Sequence, residues 1–305
     1  MRPTTTDAIY GRPPLGLITS EEGAAQYSPL VPGSLRLDRC PEGSLRSALV
    51  YAPPSTLERL YVLALALRAL AADAPLTALA LKDKGGSRIA EELRAFGCDG
   101  FSEARSHHRI ETTTRPKHPV GLDAAIEAGG PRQHPPDGPW TQPGIFSWNR
   151  VDPGSALLLE HLPPQTGRGA DWGCGIGVLG AAVLASPAVT AITLVDIDRR
   201  AIDAAQRNLV DPRATFLWAD LRTELVPPAS LDFVVMNPPF HHSGLEDRTL
   251  GQLFIERAAA ALARGGQCWL TANRHLPYEA SLAKLFAHVR LVDDAKGYKI
   301  FAAEK

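Results

Sequence analysis

Cysteine is scarce in this 305-residue chain. Its four cysteines, Cys40, Cys98, Cys174 and Cys268, stand far apart and form no Cys-x-x-Cys or Cys/His cluster. That spacing builds neither a zinc site nor a disulfide framework, and scattered thiols suit a reducing compartment. An excess of one charge is missing too. The 32 Lys and Arg against 33 Asp and Glu leave a net charge of −1, so any contact with nucleic acid has to come from a local patch. Long apolar runs are absent: the most apolar stretch, Leu60 to Leu67, ends at Arg68, far short of the roughly 20 residues a bilayer span needs. Met1-Arg2-Pro3-Thr4-Thr5-Thr6-Asp7 has no apolar core of the signal-peptide kind. The expectation is a cytoplasmic protein with no membrane contact and no metal.

A hydrophobic content of 45% supports a sizeable core, and 305 residues are comfortable for two domains. Residues 1 to about 44, rich in Pro and Gly, read as an irregular lead-in. Ser47 to Ala52 reads as a strand stopped by Pro53-Pro54, and Leu57 to Leu70 as an apolar helix capped by Ser55 or Thr56. Leu76 to Leu81 reads as a second strand. Lys82-Asp83-Lys84-Gly85-Gly86 then makes a turn into the helix Arg88 to Phe96. This β-α-β-α rhythm predicts a parallel sheet with crossover helices. Arg105, His107, His108, Arg109, Arg115, Lys117 and His118 form the densest basic run. It reads either as a solvated face or as a set of RNA phosphate contacts. Periodicity breaks at 129–139, Gly-Gly-Pro-Arg-Gln-His-Pro-Pro-Asp-Gly-Pro. The linker is placed there, between domains at 1–128 and 140–305.

The second half repeats the rhythm and adds chemistry. Asp152 to Leu162 reads as a helix with Asp152 as its N-cap and Pro153 at the first helical position. Asp171-Trp172-Gly173-Cys174-Gly175-Ile176-Gly177 reads Asp-x-Gly-x-Gly-x-Gly between a strand and a helix. Glycines there let the backbone turn sharply and let a ligand approach closely. An acid directly before the glycines can accept from an amino group, which a pyrophosphate does not carry. The next strand ends in Asp196, suited to two ribose hydroxyls; Asp198 suits a helix cap. Phe216 to Leu221 reads as a third strand, with Asp220 at its end placed for an adenine amino group. Leu231 to Met236 is then a buried strand running into Asn237-Pro238-Pro239-Phe240. Two prolines make a stiff corner that offers the Asn237 amide oxygen and the Pro238 carbonyl as acceptors. An exocyclic amino group is a poor nucleophile because its lone pair is delocalised into the ring. Two acceptors on its hydrogens aim that lone pair, with no strong base required. Phe240 would stack on the base, and Pro239 and His241 adjoin it. The combination reads as methyl transfer from S-adenosylmethionine to a planar amino group.

The chain also resembles a known family, the ribosomal RNA guanine-N2 methyltransferases of the RsmC/RlmG type. The resemblance rests on Pro143 to Ser147 with Asp152-Pro153-Gly154-Ser155, on Asp171 to Gly177 and on Asn237 to His241. It extends through Ala272-Asn273-Arg274-His275-Leu276-Pro277-Tyr278 and Gly297-Tyr298-Lys299-Ile300. It implies a Rossmann-like, seven-stranded class I methyltransferase domain preceded by a degenerate methyltransferase-like α/β domain that holds RNA. It also implies that Asp171, Gly173, Gly175, Gly177, Asp196 and Asp220 bind S-adenosylmethionine, and that Asn237, Pro238 and Phe240 position guanine. Pro239, His241, Arg109, Arg115 and Lys117 would meet the substrate, which would be ribosomal RNA or the small ribosomal subunit. An adenine N6 or a protein glutamine amide is an alternative acceptor. A non-catalytic RNA-binding assembly factor, and last an NAD-dependent oxidoreductase, remain open.

Overall fold

The computed structural model describes residues 6–14, 16–18, 22–224, 226–239, 241–242, 245–246 and 248–305; for 241–242, 245–246 and 248 it describes the backbone only. Two compact units divide the chain, the first made of 1–131 and 142–144, the second of 132–141 and 145–305.

The first unit is built on β1 (Thr6–Tyr10), β2 (Ala25–Gln26), β3 (Leu45–Tyr51), α1 (Thr56–Ala69), β4 (Pro75–Leu81), α2 (Ile89–Ala95), β5 (Gly100–Arg105), β6 (His108–Thr114) and α3 (Leu122–Gly129). Its sheet runs β2-β1-β3-β4-β6-β5. The first four strands are parallel, and β6 and β5 return antiparallel. Helix α1 is apolar on nearly every side, and Val62 through Leu67 are all buried; this is how a helix in the middle of a core reads. The irregular lead-in is corrected in part. Thr6–Tyr10 lies inside the sheet, beside β3, with Asp7 accepting from Ser47 Oγ at 2.6 Å and paired with Arg46. A five-residue strand among prolines and glycines carries too little pattern to stand out, and pairing within the sheet decides it.

The basic run is a hairpin. Ser106 and His107, both with positive φ (47° and 63°), turn the chain between Arg105 and His108, the backbone of a two-residue turn matched to strand twist. The run does not form one extended face. His108 is buried with Nδ1 2.7 Å from the Ser106 carbonyl. Arg115 is buried too, donating to the carbonyls of Leu67 (2.8 Å) and Pro116 (3.3 Å) and to Glu42 (3.3 Å). Its guanidinium is a core fastener, which corrects its reading as a substrate contact. Arg109 and Lys117 are exposed.

One ion pair ties this unit together. Arg59 on α1 is fully buried and donates to both oxygens of Glu92 (2.7 and 2.6 Å) and to the carbonyls of Pro53 and Pro54 (3.2 and 2.8 Å). It also lies against Gly85, where an added Cβ would sit 2.1 Å from Nη1. Removing one partner of a buried pair strands the other charge. Arg59→Ala should therefore cost about 3–5 kcal/mol in urea unfolding followed by a probe in residues 1–131. Glu160→Ala, which removes an exposed pair with Lys296, should cost at most about 1 kcal/mol.

The second unit opens with a small hairpin, β7 (Arg132–Gln133) and β8 (Trp140–Thr141), inside and just after the stretch read as linker. Then follow α4 (Pro153–His161), β9 (Gly167–Trp172), α5 (Val178–Leu184), β10 (Val189–Asp196), α6 (Arg199–Asn208), β11 (Ala214–Trp218), β12 (Leu231–Met236), β13 (His241–His242), β14 (Leu245–Glu246), α7 (Arg248–Ala261), β15 (Leu262–Asn273), α8 (Glu279–Leu285), β16 (His288–Ala295) and β17 (Tyr298–Glu304). The sheet order is β11-β10-β9-β12-β15-β17-β16. All pairs are parallel except those of β17, which runs antiparallel to both neighbours. This is the seven-stranded arrangement the resemblance implied. The central strands are covered on both faces, so β12 reads as a continuous apolar run and Phe233 to Met236 are all buried. Asp152 caps α4 by accepting from Ser155 N at 2.9 Å with Pro153 at the first helical position, and Asp198 caps α6 by accepting from Arg200 N at 3.0 Å.

Candidate active site

Parallel pairing of β9 with β12 sets Met236 beside Trp172. The residues that follow, Gly173 and Asn237, therefore leave the sheet side by side at the carboxyl ends of central strands, where open α/β sheets bind ligands. A cavity of about 190 Å³ opens there, lined by Gly173 to Ile176, Val178 and Leu179, by Asn237, and by the segment Phe146 to Asp152 with Ser155.

The glycine loop takes left-handed turns at Gly173 (φ 71°), Gly175 (φ 53°) and Gly177 (φ 90°), which L side chains rarely adopt. The three glycines differ in surroundings. An added Cβ at Gly175 meets nothing within 4 Å, and at Gly173 nothing closer than the Asn237 carbonyl at 3.7 Å. At Gly177 it would strike Leu209 at 2.4 Å. Gly173 and Gly175 thus leave open room against the cavity, whereas Gly177 packs the loop onto α6.

Two carboxylates brace the loop and the helix that follows it. Asp171 is fully buried, and its Oδ2 accepts from Gly180 N at 2.8 Å. Its Oδ1 is buried with no hydrogen-bond partner among the described residues. Burial pushes the Asp171 carboxyl up to about 7, and the nearby Asp196 adds to this. Asp196 accepts from Gly175 N at 2.9 Å through Oδ2 and from Asp198 N at 2.8 Å through Oδ1. Burial raises it to about 6. Asp171 therefore lies beneath the loop, while Asp196 is half-buried at the strand end. Asp220 is held by Arg222, which donates to both of its oxygens at 2.7–3.0 Å.

Asn237 is half-buried with its amide pinned. Nδ2 donates to Asp152 Oδ2 at 2.9 Å and to Ser155 Oγ at 2.9 Å. Pro238 is buried and Pro239 half-buried. Phe240 lies outside the described residues. His241 is described by its backbone alone, paired with Glu246. The structure thus gathers Gly173, Gly175, Asn237 and Pro239 at one strand end, with Asp171 and Asp196 under the loop. Arg109, Arg115 and Lys117 belong to the first unit. Asp152 and Ser155 were missed as site residues. Asp152 was read as a helix cap, and the only signal for more was its place in the Asp152-Pro153-Gly154-Ser155 motif.

The raised carboxyls have a consequence for stability. Between the ordinary carboxylate range near 3.8 and about 7, the folded protein keeps protons on Asp171 and Asp196 that the unfolded chain releases. Their contribution is full below pH 4 and is lost as pH rises through about 6 to 7. Asp171→Asn, which keeps an acceptor for Gly180, should flatten the pH dependence of the ligand-free protein's Tm between pH 5 and 8. A slope equal to wild type would refute the assignment.

Comparison with known proteins agrees with this fold. The family model "Methyltransferase small domain" matches residues 139–302. A ribosomal RNA small subunit methyltransferase C from Pseudomonas paraeruginosa is 31% identical over 92% of this chain and 86% of its own length. A ribosomal RNA large subunit methyltransferase G from Streptomyces avermitilis is 38% identical, over 53% of this chain and 44% of its own. Among solved structures, a T. thermophilus 16S rRNA N2 methyltransferase in complex with AdoMet and guanosine superposes on 100% of this chain and 89% of its own, with a TM-score of 0.79 at 24% identity. The chain therefore belongs to the methyltransferase small domain family, and along most of its length to the relatives named ribosomal RNA small subunit methyltransferase C.

Proposed function

We propose that the protein transfers a methyl group from S-adenosylmethionine to the exocyclic N2 amino group of a guanine in ribosomal RNA, with 16S rRNA of the small subunit as the target and the cytoplasm as the place of action. The observation that carries this reading is the pinned Asn237 amide beside the glycine loop. Both Nδ2 hydrogens face protein acceptors, so the group left to meet a substrate is Oδ1, a hydrogen-bond acceptor suited to an amino group.

The residues present fit the cofactor. Gly173 and Gly175 leave room where a Cβ would intrude, and Asp171 Oδ1 is a buried acceptor without a partner, which a cationic amino group beside the loop would relieve. In this reading Asp196, at the end of β10, accepts from the ribose hydroxyls, and Asp220, held by Arg222, accepts from the adenine amino group. S-adenosylmethionine, when bound, supplies an electrophilic methyl group. Asn237 Oδ1 and the Pro238 carbonyl accept from the two hydrogens of the guanine amino group and aim its nitrogen. As the nitrogen–methyl bond formed, the sulfur–methyl bond would break to leave a neutral thioether, and the nitrogen would release one proton to solvent. The gain comes from positioning and fixed dipoles, with no strong base needed. Phe240 stacks on the base, which has to be unpaired or flipped to reach the corner. Arg109 and Lys117, exposed on the first unit, supply phosphate contacts.

Labelled methyl transfer to isolated small subunits, large subunits, naked rRNA and a protein extract, followed by nucleoside digestion, tests this. The expected product is N2-methylguanosine in 16S rRNA. Asn237→Ala should lower kcat by about 10²–10³-fold with S-adenosylmethionine binding retained in calorimetry. Asp196→Ala should instead abolish that binding. Label in N6-methyladenosine or in protein would overturn the substrate.

A further inference from the structure

The Asn237 amide has two faces that differ chemically. One donates two hydrogen bonds and the other accepts. Rotation by 180° about the last side-chain bond exchanges them at little steric cost. A free asparagine at this corner would therefore present the wrong face to an amino group part of the time. Here the donor face meets two acceptors on a single helix start: Asp152 Oδ2 and Ser155 Oγ, each at 2.9 Å.

We infer that Asp152 and Ser155 are positioning residues that lock the Asn237 amide with Oδ1 toward the substrate, and so restrict the site to acceptors that bring an N–H group. This rests on the function proposed above and deepens it. Three features carry it. First, Asp152 is fixed by its own role as N-cap, since the same Oδ2 accepts from Ser155 N at 2.9 Å. Second, the surrounding backbone is tight. A Cβ at Gly154 would lie 2.7 Å from the Tyr298 ring and 3.0 Å from Asp152 Oδ2, so the turn between the two acceptors has no room to relax. Third, an ionised Asp152 has no donor to offer. A reversed amide would set Asn237 Oδ1 against the Asp152 carboxylate, oxygen to oxygen. The charge also polarises the amide, making Oδ1 a stronger acceptor for an amino group that becomes positive as it is methylated. The helix cap and the substrate corner are thus one hydrogen-bonded unit, joining residues 152 and 237 across 85 positions of sequence.

Three variants test the lock. Asp152→Ala removes the cap and one acceptor. Asp152→Asn restores an oxygen acceptor without the charge. Ser155→Ala leaves the cap on the backbone N–H intact and deletes only the second acceptor, so a fold defect cannot explain its effect. With rRNA as methyl acceptor, Asp152→Ala should lower kcat on the order of 100-fold and Ser155→Ala about 10-fold. KM for S-adenosylmethionine should stay within about twofold of wild type, and Asp152→Asn should recover at least about tenfold of the loss. A purely structural cap would lower the amount of folded enzyme and leave kcat per folded molecule unchanged. Discrimination between guanosine and inosine, which lacks the N2 amino group, should also narrow in Asp152→Ala, because an unlocked amide can turn its unpaired oxygen away.

A separate readout needs no turnover. In 15N-labelled protein the Asn237 side-chain NH2 signals, assigned by their loss in Asn237→Ala, should be protected from solvent exchange in wild type and unprotected in Asp152→Ala. Unprotected wild-type signals would overturn the lock whatever the activity. So would Asp152→Ala with kcat within threefold of wild type, or Asp152→Asn as slow as Asp152→Ala. Protected signals in a protein that methylates no guanine would keep the lock and overturn the substrate.

Discussion

The parallel pairing of β9 with β12 is the constraint on which the site depends. Residues 171 and 237 are far apart in sequence, yet the register that sets Phe233 beside Gly169 and Met236 beside Trp172 delivers the glycine loop and the proline corner to the same strand end. A parallel ladder has no freedom to slip here. Moving β12 by one residue would take Phe233 off Gly169, where an added Cβ would lie 2.2 Å from its ring, and set it against a neighbour with a side chain. The core that fixes the sheet therefore fixes the distance between loop and corner. The chemistry inherits a rigid frame.

On that frame the polar groups act in layers. Asp171 holds the Gly180 amide in the first turn of α5 and Asp196 the Gly175 amide in the loop, and they do so with carboxyls raised by burial. Asp152 and Ser155 hold the Asn237 amide. In each case a backbone or side-chain donor is satisfied before any ligand arrives. Among the described residues, Asp171 keeps one buried oxygen without a partner, and Asp152 and Ser155 engage only the donor face of Asn237. Preorganisation of this kind suits a reaction that needs aim more than acid–base strength.

The first unit shows the same rhythm put to a different use. Where the second unit turns from strand to helix through glycines, the first turns through Pro53-Pro54, and its helix carries a fully buried Arg59 bound to both proline carbonyls and to Glu92. An internal ion pair fills that turn. Arg115, which looked like part of a basic face, is a second buried guanidinium serving main-chain carbonyls. Charge counted along the chain overstates the charge available to a partner, because burial removes some of it.

Residue order alone was enough for the two α/β halves, the strand–glycine loop–helix at Asp171 to Leu184, the capping roles of Asp152 and Asp198, and the corner at Asn237. Each is written in local chemistry: glycines where left-handed turns are needed, an acid before a helix, prolines after an apolar strand. Folding in three dimensions assigned the rest. It put Thr6–Tyr10 into a sheet, split the basic run with a hairpin at Ser106 and His107 and buried Arg115. It placed Asp171 beneath the loop with one oxygen unpaired, and joined Asp152 to Asn237. Those outcomes depend on which distant segments meet, and contacts between residues 85 positions apart leave no periodic trace in the chain.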